Sequence, residues 1–199
     1  MSIRPVTERC ARRAFTVRDA WTWLKHGNRR WAAGTPGRAG QDVERRRQVA
    51  RAQAPFAVVL SCVDSRVPPE VVFDAGLGDL LVVRTAAHTL DPLVRAAVQY
   101  GPHALGAPLV LVLGHQRCGA VTAAATALRE RATLPGELPA VVAALAGAYE
   151  SSGGDVAAMT RAHTAATVRE LRDDPLLRGR ATVLGAHYCL DTGLVSRVV

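Results

Sequence analysis

The sequence predicts an α/β fold: a mainly parallel sheet of four strands plus a short fifth, flanked by helices and preceded by an N-terminal helical arm. Three observations carry that prediction. Short continuous apolar runs recur along the chain, as expected of strands buried on both faces. Stretches with helical periodicity alternate with those runs. Two of the runs lead directly into loops dense in metal-ligating and charged residues.

Taken in order, Val17 to Trp31 places Trp21, Leu24 and Trp31 on one side at helical spacing. Trp21, Trp23 and Trp31 there suggest core or dimer packing rather than stacking on bases. Gly34, Pro36, Gly37 and Gly40 then break the chain, and a second helix is expected over Asp42 to Ala52, with Arg45 to Arg47 solvated. Phe56 to Ser61 (FAVVLS) is the first strand. Leu80 to Arg84 (LLVVR), Leu109 to Gly114 (LVLVLG) and Ala181 to His187 (ATVLGAH) follow, with Leu194 to Val199 as the short fifth. Between them lie helical stretches at Asp91 to Leu105, Ala120 to Arg131, Leu138 to Glu150 and Val156 to Asp173. Pro92, just inside the first of these, occupies the helix position proline favours.

A chain of 199 residues fits one domain, here residues 1–199, with 1–52 as the helical arm and 53–199 as the α/β core. Hydrophobic residues at 49% and charged residues at 21% are ordinary globular composition and argue against disorder. No apolar run approaches the roughly 20 residues a membrane helix needs. The charged N-terminus lacks the apolar stretch of a signal peptide, so a cytoplasmic protein without membrane contact is expected. The net charge of +8 is confined to the arm: residues 1–51 carry 13 basic against 4 acidic groups, while the remainder is near balance. A solvated helical face explains that excess, and no nucleic-acid partner is expected.

Four cysteines occur, and in a reducing compartment metal binding or catalysis is favoured over disulfides. Cys10 in the arm and Cys189 in a terminal apolar segment are expected to be inert. Cys62 and Cys118 stand in polar, turn-rich loops. The first strand runs into Cys62-Val63-Asp64-Ser65-Arg66, and the third into His115-Gln116-Arg117-Cys118-Gly119. In open α/β sheets, ligands bind beyond the carboxyl ends of strands where strand order reverses. Alternation along an extended segment lets Cys62, Asp64 and Arg66 share a face. His115 and Cys118, three apart at a helix start, are expected to share a helical face. Two thiolates, an imidazole and a carboxylate form a tetrahedral zinc set. Because the carboxylate can pair instead with Arg66, the site reads as openable and catalytic. His187 and Cys189 alternate on a strand but lack further ligands. His26, His103 and His163 are expected to be surface or satisfied core histidines.

CVDSRVPPE and GHQRCGAV resemble the two zinc-binding signatures of the β-class carbonic anhydrases. The resemblance extends to WLKHGNRRWAAG, GLGDLLVVR and GAHYCLDTGLV, and so covers nearly the whole chain. It implies that Cys62, His115 and Cys118 are permanent zinc ligands, Asp64 the exchangeable fourth ligand and Arg66 its dyad partner. It also implies that Gln53 hydrogen-bonds bicarbonate across a dimer interface, and that Leu81, Ala86 and Tyr100 line an apolar substrate pocket. Gly119 would offer its N–H to the bound anion. The implied activity is zinc-dependent hydration of carbon dioxide to bicarbonate and a proton, by a homodimer or dimer of dimers. Two anionic thiolates on the metal should make its water less acidic and favour alkaline pH. The alternatives are hydrolysis of carbonyl sulfide or carbon disulfide at the same site, and a catalytically silent zinc protein. The chain departs from the family's common RNAGN pattern at Arg84-Thr85-Ala86-Ala87-His88, where Ala87 replaces a glycine and His88 an amide.

Overall fold

A computed structural model describes residues 15–199, so Cys10 and four of the arm's basic residues (Arg4, Arg9, Arg12 and Arg13) lie outside the described residues. The elements follow the order α1 (Val17–Ala32), α2 (Val43–Val49), β1 (Ala57–Cys62), α3 (Pro69–Val72), β2 (Leu80–Thr85), α4 (Pro92–Ala104), β3 (Leu109–His115), α5 (Gly119–Glu130), α6 (Leu138–Ser152), α7 (Val156–Arg172), β4 (Thr182–Tyr188) and β5 (Val195–Arg197). The sheet order is β2-β1-β3-β4-β5. The first four strands are parallel and β5 pairs antiparallel with β4.

Every residue of β1 and β3 is buried, which is why their sequences are apolar without alternation. The two faces still sort by period. Ala57, Val59, Leu109 and Leu111 pack with Leu24 of α1 and with Phe73. Val58, Leu60, Val110 and Val112 pack with Val98 of α4 and with Val168 and Leu171 of α7. A third cluster, built by α5, α6 and α7, closes over the carboxyl end of the sheet and includes Cys62, Ala87 and Cys118.

Local signals account for the helix boundaries. Thr16 and Asp19 form a reciprocal capping box at the start of α1, while Asp91 and Asp155 cap α4 and α7. The second helix is shorter than the expected Asp42 to Ala52: Asp42 is its N-cap and it ends at Val49. Pro55 disfavours a helical residue before it, and with no buried residue α2 has no packing to extend it. The single turn α3 is too short for periodicity to mark.

Strand order reverses between β1 and β3. The chain passes from β1 to β2 on one side and returns to place β3 on the other. The crevice this creates lies at the ends of the two strands that lead into Cys62 and His115.

Candidate metal centre

Cys62 is the last residue of β1, His115 the last of β3, and Cys118 the N-cap of α5. One donor atom from each lies within 4.8 Å of the others, and all three residues are buried. The two sulfurs are 3.8 Å apart. The expectation that His115 and Cys118 share a helical face is corrected. His115 belongs to a strand, and Arg117, in the left-handed region at φ 51°, turns the chain so that Cys118 doubles back beside it.

His115 is oriented for ligation. Its Nδ1 lies 3.0 Å from the Gln116 carbonyl, which fixes the proton there, while its buried Nε2 has no hydrogen-bond partner. An orphaned buried nitrogen beside two thiols is costly unless a cation takes its lone pair, and this donor set suits a soft divalent ion. The residues fit a metal. The contact between the two sulfurs drives their thiols apart: the hydrogen bond with Cys118 holds Cys62 below the ordinary thiol value, and the same bond, with burial, pushes Cys118 up. Cys62 Sγ also accepts from the Ala87 N–H at 3.4 Å.

Asp64 stands beside the cluster, with Oδ2 3.9 Å from His115 Nε2. Its carboxylate is engaged by Arg66, whose Nε and Nη2 donate at 2.9 and 2.7 Å and whose backbone N–H adds a third bond at 2.9 Å. The Arg66 guanidinium holds the Asp64 carboxyl down at about 2, with burial opposing.

Several further residues frame the site: the sequence assigned no role to Arg84, Gln116 or Arg117, and marked Ala87 and His88 only as departures from the family pattern. Arg84 donates to the carbonyls of Cys62 at 2.8 Å and Asp64 at 2.6 Å, pinning the loop after β1. Its only sequence signal is a charge closing an apolar strand. Arg66 Nη2 reaches the Arg117 carbonyl at 3.2 Å and so links the two loops. Gln116 Oε1 accepts from the Leu190 N–H at 3.0 Å, tying the second loop to the chain after β4. Ala87 and His88 both adopt positive φ, 52° and 49°, where non-glycine residues are strained. That turn aims the Ala87 N–H at Cys62 and buries His88 beneath Gly114.

His163 corrects an expectation. It is neither at the surface nor satisfied: it is 7% exposed, its Nε2 lacks a partner, and its ring lies 4.7 Å from that of His88. His26 and His103 are exposed, as expected.

The remaining site residues are dispersed within the chain. Leu81 packs with the cluster on the α4 side of the sheet, Ala86 is half-buried, and Tyr100 is half-exposed on α4. Gly119 is exposed at the first position of α5. Gln53 is exposed in the segment entering β1, at the opposite end of that strand from Cys62.

Comparison with known proteins agrees with this geometry. A family model described as carbonic anhydrase matches residues 57–195. Carbonic anhydrase 2 of Mycobacterium tuberculosis is 49% identical over 117 residues, covering 59% of this chain. The match spans just over half of that relative's own length, 56%. A carbonic anhydrase of Pseudomonas aeruginosa is 31% identical across 75% of this chain and 76% of its own. Among solved structures, a tetrameric β-carbonic anhydrase from Sordaria macrospora superposes with a TM-score of 0.70 at 20% identity, covering 90% of this chain and 96% of that one. At that identity the likeness speaks for the fold alone.

Proposed function

We infer, because this chain belongs to the β-class carbonic anhydrases, that it catalyses the reversible hydration of carbon dioxide to bicarbonate and a proton. The observation that carries the reading is the buried cluster of Cys62, His115 and Cys118, with its unpartnered Nε2, beside the Asp64–Arg66 pair. The ion we assign is zinc. Tetrahedral geometry with zinc–sulfur distances of about 2.3 Å spaces two sulfurs by about 3.8 Å, and the 3.8 Å between Cys62 and Cys118 supports that assignment. When bound, zinc supplies the acidification of water that makes a nucleophile available near neutral pH.

The chain's own groups do the rest. Cys62, His115 and Cys118 would hold the ion with three donors, and Asp64, 3.9 Å from His115 Nε2, would be the carboxylate beside it. Arg66 withholds the Asp64 carboxylate from the ion, and both residues border the space a small substrate enters. Released from Arg66, the carboxylate is close enough to close the site. Arg84 keeps the loop carrying Asp64 in register with Cys62. Leu81, Ala86 and Tyr100 are proposed to form the apolar wall against carbon dioxide, and the Gly119 N–H to face the product anion.

A homodimer completes this reading. β2 is an edge strand whose six residues are all half-buried, with the apolar run Leu80 to Val83 and backbone groups unpaired on its outer side. On neighbouring α4, Leu93 is 82% exposed and Tyr100 49%. Pairing along this edge would cover both, and twofold symmetry would let Gln53 of one subunit serve the metal centre of the other.

Stopped-flow hydration on zinc-loaded protein, with metal content measured in parallel, tests the proposal. Turnover that disappears with zinc in Cys62→Ser is expected. A zinc-replete chain with no hydration activity would sink it. Carbonyl sulfide and carbon disulfide assayed beside carbon dioxide distinguish the alternative substrates.

A further inference from the structure

An open cavity of about 540 Å³ lies over the carboxyl end of β4, bordered by the first turns of α7 and by Gln116 and Arg117. His187 is flanked by Gly114 on β3 and Ser196 on β5, and residues side by side in a sheet point to the same face. The ring of His187 lines the cavity together with Ser196, Thr160 and Arg161, while Gly114 on its other side is packed against Thr160 and Thr164 of α7. His187 is 7% exposed, yet among the described residues its ring makes no hydrogen bond. A buried imidazole lining a cavity without a partner is a group awaiting one.

The charges around the cavity are uneven. Arg117 is paired with Asp191, at 2.5 and 3.0 Å. Asp155 is occupied as the cap of α7, accepting from the Ala158 N–H at 2.7 Å. Arg161 has neither an ion pair nor a hydrogen bond among the described residues. It stands in the second turn of α7, whose N-terminal end adds positive potential. Burial, with the Arg161 charge behind it, holds His187 down at about 4. Its ring is therefore neutral at physiological pH and keeps one N–H to donate. Val156 and Ala157 supply apolar surface beside these polar groups.

We propose that this cavity binds a small organic oxyanion, a carboxylate or phosphate monoester on a compact apolar group, with Arg161 neutralising the charge and His187 donating a hydrogen bond. The volume exceeds what an inorganic anion fills and lies in the range of small-molecule sites. The site is separate from the metal donors and does not depend on the hydration reading.

The test is titration of the isotope-labelled full chain, zinc-loaded, with benzoate, phenyl phosphate and inorganic phosphate, using benzamide as the uncharged control. Nitrogen–proton correlation spectra of the His187 ring and the Arg161 side chain report occupancy. Saturable shifts at both residues with benzoate or phenyl phosphate are expected, with a dissociation constant of about 1 mM or tighter. The better of the two identifies the headgroup. Arg161→Gln, on an exposed helix position, should weaken binding by about tenfold or more while zinc content is unchanged. Equal binding of benzamide, equal binding of inorganic phosphate, undiminished affinity in Arg161→Gln, or shifts confined to residues around Cys62, His115 and Cys118 would each overturn the proposal.

Discussion

Asp64 and Arg66, two residues apart, are joined by two side-chain hydrogen bonds of 2.9 and 2.7 Å, while the same carboxylate lies 3.9 Å from Nε2 of His115. On the proposed reading Arg66 holds the carboxylate away from the metal cluster, and removing the guanidinium tests that role. Arg66→Ala should free Asp64 to occupy the fourth metal position. Hydration activity should fall at least about tenfold with zinc retained, and Arg66→Lys, lacking the two-pronged contact, should recover only part of it. Zinc analysis beside stopped-flow rates checks this; unchanged activity in Arg66→Ala would remove Arg66 from the machinery.

Metal retention separates the cysteines. Cys62→Ser and Cys118→Ser should lose zinc, because each removes a thiolate donor from the buried cluster. Cys189→Ser should keep it, since Cys189 Sγ only meets Gln116 Oε1 at 3.4 Å. Plasma emission analysis of dialysed protein reads the outcome directly.

Acid should destabilise the fold through its buried histidines. Burial holds His163 down at about 4, and His187 is held at about 4 for the reasons given above. Burial, then the neighbouring His163 and His115, lowers His88 as well. Unfolded histidine takes a proton near pH 6.5. Between about pH 6.5 and 4 the unfolded chain thus binds protons that the folded chain refuses, so stability falls as pH falls. Each such group steepens the dependence by up to about 1.4 kcal/mol per pH unit. Denaturant melts at pH 7, 6 and 5 should show the decline, and His163→Gln should flatten it.

Two glycine substitutions should act in opposite directions. A Cβ at Gly27 in α1 would lie 1.8 Å from the backbone oxygen of Phe73, which no side-chain rotation relieves. Gly27→Ala should force α1 off the core and cost about 2 kcal/mol or more. Gly147 in α6 has nothing within 4 Å of the same position. Gly147→Ala should stabilise by about 0.5–1 kcal/mol through helix propensity. Thermal melts of both variants suffice.

Subunit mixing examines Gln53. If it serves the partner's zinc, inactive Gln53→Ala and Cys62→Ser chains should regain activity when exchanged, because the heterodimer holds one intact site. Heterodimers confirmed by native mass spectrometry without returning activity would remove Gln53 from the mechanism.

What the sequence determined by itself is written locally. Apolar runs without alternation marked β1 and β3, because strands buried on both faces need no polar side. Helical spacing, the breaking glycines after Trp31 and Pro92 placed helix ends near where they fall, whereas the capping aspartates were recognised only in the structure. Cys62, His115 and Cys118, which the structure gathers into a candidate metal cluster, could be picked out because donor types and their spacing can be read in order along the chain. Tertiary structure alone decided what depends on register and strand order. Cys62 and His115, 53 residues apart, meet because strand order reverses between β1 and β3. The left-handed turn at Ala87 and His88 has no composition signal; it is held by burial of His88 against His163 and by the N–H contact to Cys62. The cavity beside His187 joins the start of α7, the loop after β3 and Ser196 of β5, and no residue's own neighbours in sequence foretell that meeting. Periodicity and donor chemistry are short-range properties of a chain, whereas convergence of distant side chains is set by packing between elements.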